Sequence, residues 1–302
     1  MDYISQSRPR PFLKWAGGKG QLLPEIRKRY TSVLNADLTK YAEPLVGGGA
    51  VLFDIISAHK FEEIYISDIN AELINVYQVI CDNVAELIDE LYIMQESFSS
   101  LAAEERKIIY YQARDEYNAI KINGHALKNL RKAVLQIFLN KTCFNGLYRV
   151  NSKGLYNVPM GDYDKPLICD QENLLAVAAA LKDVEIVCGP FTDSASFIDE
   201  HTLAYFDPPY RPLHATSNFT AYTENAFDDE QQKSLAAYID FLTAKGAKII
   251  ASNSDPKNVD PGDDFFDILY SKHRIERVKA SRMINSKGES RGKINEILVT
   301  NF

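Results

Sequence analysis

The segment KYAEPLVGGGAVLFDII, residues 40–56, decides the fold class of this chain. It has the pattern of a short strand, a turn of three glycines and a helix, the order found where backbone must approach a bound nucleotide closely. A second strand pattern, EIYISD at residues 63–68, ends on Asp68, about 20 residues beyond the glycines. At that spacing an acidic side chain can hold ribose hydroxyls. Together these elements predict an α/β fold with Gly47 and Asp68 at a cofactor site, which suits either a dinucleotide or S-adenosylmethionine.

Alternating strands and helices continue in the second half of the chain. Further strand patterns lie at residues 184–189, 203–207 and 248–252. With the helical segments between them, they predict a mainly parallel sheet with helices on both faces. Two last strands are expected at residues 265–270 and 295–302, around a basic loop at 281–293. Their short connection favours an antiparallel pair at the edge of the sheet.

A helical block interrupts this alternation from residue 71 to about residue 140. Its apolar side chains repeat at helical spacing along one face, which we expect to be buried. They are Leu127, Leu130, Val134 and Ile137. We interpret the block as part of an inserted, mainly helical domain at residues 71–169 that bears a hairpin. Residues 1–70 and 170–302 then form a catalytic and cofactor-binding domain.

The stretch LAYFDPPY at residues 203–210 meets the requirements for methylating an exocyclic amine on a base. Such an amine is a poor nucleophile because its lone pair is delocalised into the ring. Two acceptors that hold both N–H bonds favour a more nucleophilic nitrogen. Asp207 can be one acceptor, and the carbonyl of Pro208 the other, since proline keeps its C=O and has a fixed φ. Tyr210 offers a flat face on which a base taken out of the duplex can stack. A Pro-Pro turn that merely ends a buried strand is the structural alternative.

Near the N-terminus, PFLKWAGGKG at residues 11–20 places two glycines between an aromatic residue and a lysine. The spacing differs from that of a phosphate-binding P-loop, so this loop is better suited to an uncharged or zwitterionic ligand. Trp15 is the one tryptophan of the chain, and it also fits a position in the core.

The segment NKTCFNGLYRVNSKGLYNVPMG, residues 140–161, predicts a hairpin with its turn at Asn-Ser-Lys-Gly. Arg149 is the type of side chain that reads the major-groove edge of guanine, and Leu147 and Pro159 can touch a thymine methyl group. Asparagines suit phosphates or base edges. Those of the hairpin are Asn145, Asn151 and Asn157. A polar surface hairpin without a partner is the alternative interpretation.

Charge and composition indicate which partners and which location are expected for the protein. The 302 residues carry a net charge of -7, yet residues 1–29, 121–165 and 272–293 have surpluses of five, six and six positive charges. Such stretches suggest a polyanion footprint assembled by folding, or three solvated faces. The four cysteines lack metal-ligand spacing, so we expect no metal site. No apolar run approaches the roughly 20 residues that cross a bilayer, and the polar start lacks a signal-peptide pattern, so we expect no membrane partner and a cytoplasmic location.

These motifs occur together, and in this order, in a known family. The sequence resembles the DNA adenine methyltransferases of the Dam type, and most closely the GATC-modifying enzymes of bacterial restriction-modification systems. The resemblance spans nearly the whole chain. The matching segments are FLKWAGGK at 12–19, EPLVGGG at 43–49, Asp68, NGLYRVN at 145–151, NVP at 157–159, DPPY at 207–210, NFTAY at 218–222 and SRGK at 290–293.

The resemblance implies a Rossmann-like methyltransferase sheet in which the insertion at residues 71–169 is the target-recognition, DNA-binding domain. It also implies transfer of a methyl group from S-adenosylmethionine to N6 of a flipped adenine in double-stranded DNA. Positions that the family uses around the cofactor are occupied by Trp15, Lys19, Asp68 and Asp207. Positions that it uses to read GATC are occupied by Lys14, Leu147, Arg149 and Pro159. Asp162 stands where several relatives carry a basic residue, which puts one phosphate contact in doubt. Whether a cognate restriction endonuclease acts separately beside this protein is left open.

Two other functions fit part of the pattern. One is methylation of another planar amine, such as cytosine N4, an RNA adenine or a glutamine amide. Enzymes of those kinds usually carry Ser or Asn in place of Asp207. The other is a non-catalytic DNA-binding regulator, which has no need of Lys19 and Asp207 together with Asp68 and Tyr210.

Overall fold

The computed structural model describes residues 7–35, 37–124, 127–211, 227–281 and 293–302. The strands of this part of the chain are β1 Lys40–Pro44, β2 Glu63–Asp68, β3 Val184–Cys188, β4 Thr202–Phe206, β5 Lys248–Ser254, β6 Arg274–Ser281 and β7 Lys293–Thr300. They form one sheet in the order β3–β2–β1–β4–β5–β7–β6.

The sheet is mixed, as the sequence predicted. Strands β1 to β5 are parallel, while β7 is antiparallel to both of its neighbours, β5 and β6. The strand order reverses at β1, which lies between β2 and β4. At such a switch point the carboxyl ends of parallel strands open a crevice in which ligands bind.

Helices cover both faces of the sheet. They are α1 Leu23–Val33, α2 Ala50–Ala58, α3 Ala71–Asp82, α4 Val84–Ser100, α5 Ala103–Ile122, α6 Leu130–Thr142, α7 Gln171–Leu181, α8 Asp229–Ala244 and α9 Phe265–Leu269. Successive residues of a strand point to opposite faces, so Tyr41 joins one buried apolar cluster and Ala42 the other. Side chains of Asn70 and Asn129 accept hydrogen bonds at the N-termini of α3 and α6, and so fix where these helices begin.

The predicted helical block is present as α3 to α6. Val134 and Ile137 are buried in α6, but Leu127 lies ahead of that helix and is 40% exposed, so its assignment to the buried face was wrong. Helix α3 packs against β2 and β3 as well as against α6. The division at residue 71 into two domains stays a prediction, because α3 contacts both the sheet and the helical block.

One predicted strand is a helix. Residues 265–269 form α9, where the Asp263 carboxylate accepts a hydrogen bond from the Phe265 N–H, and the edge strand follows as β6. A short apolar run such as FFDILY has no periodicity that separates helix from strand. An antiparallel pair does lie at the edge of the sheet, but β6 takes the place of residues 265–270 as the partner of β7.

Two matching segments, residues 218–222 and residues 290–292, lie outside the described part of the chain. Among the described helices, none is long and apolar enough to cross a membrane.

Candidate functional site

A cleft of about 810 Å³ opens where β1, β2 and β4 end. It is lined by all seven residues that the sequence assigned to catalysis or to the cofactor. They are Trp15, Lys19, Gly47, Asp68, Asp207, Pro208 and Tyr210. The parallel pairing of β1 with both β2 and β4 therefore brings three motifs that are far apart in sequence to one edge of the sheet.

Asp68 ends β2 and holds the glycine turn in place. Its carboxylate accepts hydrogen bonds from the Gly47 N–H at 3.1 Å and the Asn70 N–H at 2.9 Å. Burial raises the pKa of Asp68, and the backbone N–H donors oppose that rise. Gly47 has a φ of 49°, and a Cβ at this residue would come within 3.2 Å of the Trp15 indole. Only a residue without a side chain fits this turn without strain.

Trp15 lies between the cleft and the helical block. Its indole stacks on the ring of Tyr148, with ring centroids 5.2 Å apart and an interplanar angle of 24°. Tyr148 belongs to the predicted hairpin segment and is 4% exposed. Trp15 is thus packed against the core and also lines the cleft, and its role toward a ligand stays a prediction.

Asp207 follows β4 and meets two fixed donors. The Lys19 ammonium lies 2.7 Å from Asp207 Oδ2, and the Ser252 hydroxyl donates to Oδ1 at 2.9 Å. Lys19 also donates to the Gly17 carbonyl at 2.5 Å. Burial raises the pKa of Asp207, while the positive charge of Lys19 and the Ser252 hydrogen bond oppose the rise. A buried ion pair is tolerated when further hydrogen bonds satisfy it, and this pair has them.

The rest of the Asp-Pro-Pro-Tyr turn is held from two sides. The Tyr210 hydroxyl donates to Glu296 on β7, and the Tyr210 ring lies 4.4 Å from the Lys19 ammonium. On the other side, the Gln232 amide of α8 donates to the Pro209 carbonyl at 3.1 Å. Pro208 is buried between these contacts. The turn therefore presents its groups to the cleft in a fixed geometry, which is what orientation of a reacting group requires.

Glu43 is a second carboxyl group in the cleft, and the sequence interpretation gave it no role. It is the next-to-last residue of β1, is 2% exposed, and accepts a hydrogen bond from the Tyr41 hydroxyl at 2.6 Å. Burial raises the pKa of Glu43 to about 8, and the negative charge of Asp207 contributes to the rise. Glu43 is consequently neutral through most of the physiological pH range.

The predicted hairpin is present. Val150 and Tyr156 form an antiparallel bridge, and Asn151 closes the turn by accepting from the N–H groups of Lys153 and Leu155. Across the hairpin, Arg149 donates to the side-chain oxygen of Asn157 at 2.8 Å. The side-chain oxygens of Asn151 and Asn157 thus serve the hairpin itself, a structural role that the sequence interpretation did not give them.

Asn140 joins the N-terminal segment to the base of this hairpin. It accepts from the Lys14 N–H at 2.9 Å and donates to the carbonyls of Lys14 at 2.9 Å and Gly146 at 3.0 Å. The Lys14 side chain lies against Gly146, where a Cβ would come within 2.3 Å of it. Lys14 is thereby placed beside Asn145 and Leu147, although it is 126 residues away from Asn140 in sequence.

Exposed groups of several kinds meet on this surface. Lys14, Asn145 and Pro159 are exposed, and Leu147 and Arg149 are half-buried. Phe144, which the sequence interpretation did not single out, is 53% exposed beside them. Its N–H donates to the Pro159 carbonyl, so Phe144 and Pro159 are adjacent. A positive charge, amide groups and apolar groups are thus presented together.

Comparison with known proteins decides between the enzyme classes. A family model described as D12 class N6 adenine-specific DNA methyltransferase matches residues 15–284. The chain belongs to this family. It is 45% identical over 295 residues to "Type II methyltransferase M.MjaIII" of Methanocaldococcus jannaschii, a match that covers 97% of this chain and 99% of the relative.

Two other relatives match the methyltransferase at similar coverage. This chain is 35% identical to "Type II methyltransferase M1.LlaDCHI" of Lactococcus lactis subsp. cremoris, over 97% of this chain and 95% of the relative. It is 33% identical to "DNA adenine methylase" of Escherichia coli strain K12, over 96% of this chain and 94% of the relative. The chain is therefore an adenine-specific DNA methyltransferase, and its mixed sheet agrees with that class.

Sequence reasoning missed the side chains that hold the site of this methyltransferase together. They are Glu43, Asn140, Ser252 and Glu296. A charged residue that follows Tyr41 and Ala42 in the buried part of β1 was the available signal for Glu43. Ser252 and Glu296 lie on later strands and carry no motif of their own, so only the structure reveals their contacts with Asp207 and Tyr210.

Proposed function

We propose that this D12-class enzyme transfers a methyl group from S-adenosylmethionine to N6 of an adenine flipped out of double-stranded DNA, and that its target is GATC. One observation carries the proposal. The cleft at the switch point holds Asp68, the glycine turn and the Asp-Pro-Pro-Tyr turn together. A cofactor group and a planar amine can therefore meet in one place.

The residues of the cleft suit S-adenosylmethionine. Bound there, this cofactor supplies a methyl group on a positively charged sulfonium centre. Asp68 ends β2 at the place where a carboxylate can accept from ribose hydroxyls. A Cβ at Gly47 or Gly48 would press against the Trp15 side chain, so the two glycines allow the turn to pack closely against Trp15 at the wall of the cleft. Lys19 and Asp207 complete the set that we assign to the cofactor.

Asp207 and Pro208 are the proposed acceptors for the two N–H bonds of the adenine amine. Asp207 is ion-paired with Lys19 and therefore keeps acceptor lone pairs in a buried site. Acceptance of both N–H bonds favours a nucleophilic nitrogen, and after transfer the cationic nitrogen loses a proton toward the Asp207 side. The Tyr210 ring, whose hydroxyl is fixed by Glu296, provides the stacking face for the flipped base.

The hairpin and the N-terminal segment form the proposed DNA-reading surface. Arg149 would contact guanine, and Leu147 and Pro159 would contact thymine methyl groups. Lys14 would contact a base edge of the same site, since Asn140 fixes its backbone beside the hairpin. Asn145 and the side-chain NH2 groups of Asn151 and Asn157 would contact phosphates or base edges. Residues 71–169 are the proposed recognition domain.

A methyl-transfer assay tests this function. The protein is incubated with labelled S-adenosylmethionine and duplexes that contain or lack GATC, and the product is digested to nucleosides. We expect label on adenine N6 in the GATC duplex alone, and loss of labelling with Asp207→Ala. Label on cytosine, equal labelling of both duplexes, or labelling of RNA would each contradict the proposal.

A further inference from the structure

A chain of hydroxyl groups leads from the interior of the sheet to Asp207. The Ser252 hydroxyl on β5 donates to Asp207 Oδ1 at 2.9 Å, and the Tyr205 hydroxyl on β4 lies 2.8 Å from the Ser252 oxygen. Ser252 and Tyr205 are each 2% exposed. Ser252 is not among the residues that line the cleft, whereas its two hydrogen-bond partners, Tyr205 and Asp207, both are.

The direction of these hydrogen bonds is fixed by valence. An ionised carboxylate only accepts, so the single hydroxyl proton of Ser252 goes to Asp207. Tyr205 must then donate to the Ser252 oxygen. Burial raises the pKa of Tyr205 well above its ordinary value, so its proton stays in place. Hydrogen bonds in such a chain polarise and strengthen one another.

Both carboxylate oxygens of Asp207 are consequently held. Lys19 holds Oδ2 from the N-terminal loop and Ser252 holds Oδ1 from β5. With two donors at its two ends, the carboxylate cannot rotate about its Cβ–Cγ bond without losing one of them. The remaining lone pairs keep one direction relative to the cleft.

We propose that Ser252, supported by Tyr205, is a positioning residue that orients the Asp207 carboxylate toward the amine to be methylated. The proposal rests on the role of Asp207 given under Proposed function. Ser252 acts through Asp207 and touches neither the base nor the cofactor.

Other charged or titratable groups face Asp207 and bear on its protonation. Lys19 lies on the N-terminal loop, Glu43 on β1 and Tyr210 on the turn itself, where Glu296 of β7 accepts from its hydroxyl. Burial raises the pKa of Asp207, and the Ser252 hydrogen bond is one of the contacts that oppose this rise. Removing the Ser252 hydroxyl leaves those other groups unchanged and should raise the pKa of Asp207 further.

The structure offers a matched control. At the other end of β4, the buried Thr202 hydroxyl donates to Asp199 at 3.1 Å, and Asp199 is ion-paired with Lys40 at 2.9 Å. Thr202→Val therefore removes the same kind of hydroxyl, from the same kind of ion pair, far from the cleft. Ser252→Ala should slow single-turnover methyl transfer about 10- to 100-fold, the size of a hydrogen bond to a charged group. Its binding of methyl donor and of DNA should change by no more than about threefold.

The pH profile separates positioning from a merely structural effect. With Ser252→Ala the acid limb of the single-turnover rate should move to higher pH, because a protonated Asp207 no longer accepts from the amine. Tyr205→Phe should move it the same way by less, and Thr202→Val should leave it in place. Equal slowing by Ser252→Ala and Thr202→Val, or an unmoved acid limb, would overturn the proposal.

A second measurement does not depend on turnover. In protein labelled with ¹³C at aspartate carboxyls, the titration that disappears with Asp207→Asn belongs to Asp207. Ser252→Ala should shift that titration to higher pH in the free protein, and an unshifted titration would refute the contact. If the parent enzyme fails to methylate GATC duplexes while the titration still shifts, the proposed function fails and the hydrogen-bond chain stands.

Discussion

Replacing Glu43 by glutamine should remove a large part of the pH dependence of stability between about pH 5 and pH 8. The ordinary pKa of this carboxyl is 4.5, and burial raises it to about 8 in the folded protein. Within that window the folded protein holds a proton that the unfolded chain has released. Unfolding therefore releases a proton, and the free energy of unfolding falls as the pH rises.

The size of the effect follows from the shift. One pKa unit corresponds to about 1.4 kcal/mol, so a single group shifted over this range costs roughly 4 kcal/mol of stability between pH 5 and pH 8. This contribution is fully favourable below pH 4.5 and is lost as the pH approaches 8. Glutamine keeps an oxygen that can accept from the Tyr41 hydroxyl and has no proton to lose. Glu43→Gln should therefore gain stability relative to the parent by about 1.4 kcal/mol for each unit of rising pH.

Urea denaturation of both proteins at pH 5, 6, 7 and 8, without cofactor or DNA, measures this difference. The exposed Glu62 on the loop before β2 provides a control, and Glu62→Gln should follow the parent at every pH. Asp68 and Asp207 titrate in the same direction in all three proteins, so they cancel in the comparison. A constant difference between Glu43→Gln and the parent across the four pH values would show that Glu43 is ionised in the folded protein.

Three further predictions concern the ligands. Asp68→Ala should weaken binding of S-adenosylmethionine by roughly 1.5–3 kcal/mol for each lost hydrogen bond and barely change DNA affinity, and an unchanged calorimetric dissociation constant would remove Asp68 from the cofactor site. Arg149→Ala should cost about 1–3 kcal/mol of discrimination at one base pair, measured as methylation rates on singly substituted GATC duplexes. A uniform loss on all of them would make Arg149 a phosphate contact. Asp162→Arg, at an exposed position after the hairpin, should tighten binding to all duplexes and steepen the dependence of log affinity on log salt by about 0.9. A gain confined to the GATC duplex would place Asp162 away from the phosphates.

Local patterns were enough to find the parts of the site that lie in the turns at strand ends. The glycine turn after β1 and the Asp-Pro-Pro-Tyr turn after β4 are specified by residues with unusual backbone preferences, which can be recognised without a structure. The edge strand β6, Arg274–Ser281, could not be found in this way, and residues 265–270 ahead of it were predicted as a strand instead. There the run FFDILY fits either a strand or a helix, and the short helix α9 forms with Asp263 hydrogen-bonded at its start.

The contacts that support the site could not be predicted because they join distant parts of the chain. Ser252 is 45 residues from Asp207, and Glu296 is 86 residues from Tyr210. Serine and glutamate on strands have many ordinary uses, so neither pattern nor spacing marks them. Their role follows from strand order, which puts β5 next to β4 and β7 next to β5.

The two carboxyl groups of the cleft differ in charge because they differ in donors, and this difference decides what each can do. Asp207 has an ammonium group on one oxygen and a hydroxyl on the other, and both donors oppose the rise in its pKa that burial causes. Glu43 has a tyrosine hydroxyl, lies near the negative charge of Asp207, and stays protonated up to about pH 8. A protonated carboxyl is a poor acceptor for an amine, so only Asp207 can serve that purpose at neutral pH. Because a neutral Glu43 carries no negative charge, it does not compete with Asp207 for the Lys19 ammonium group. Above pH 8 an ionised Glu43 would compete for Lys19 and loosen one of the two donors that hold Asp207.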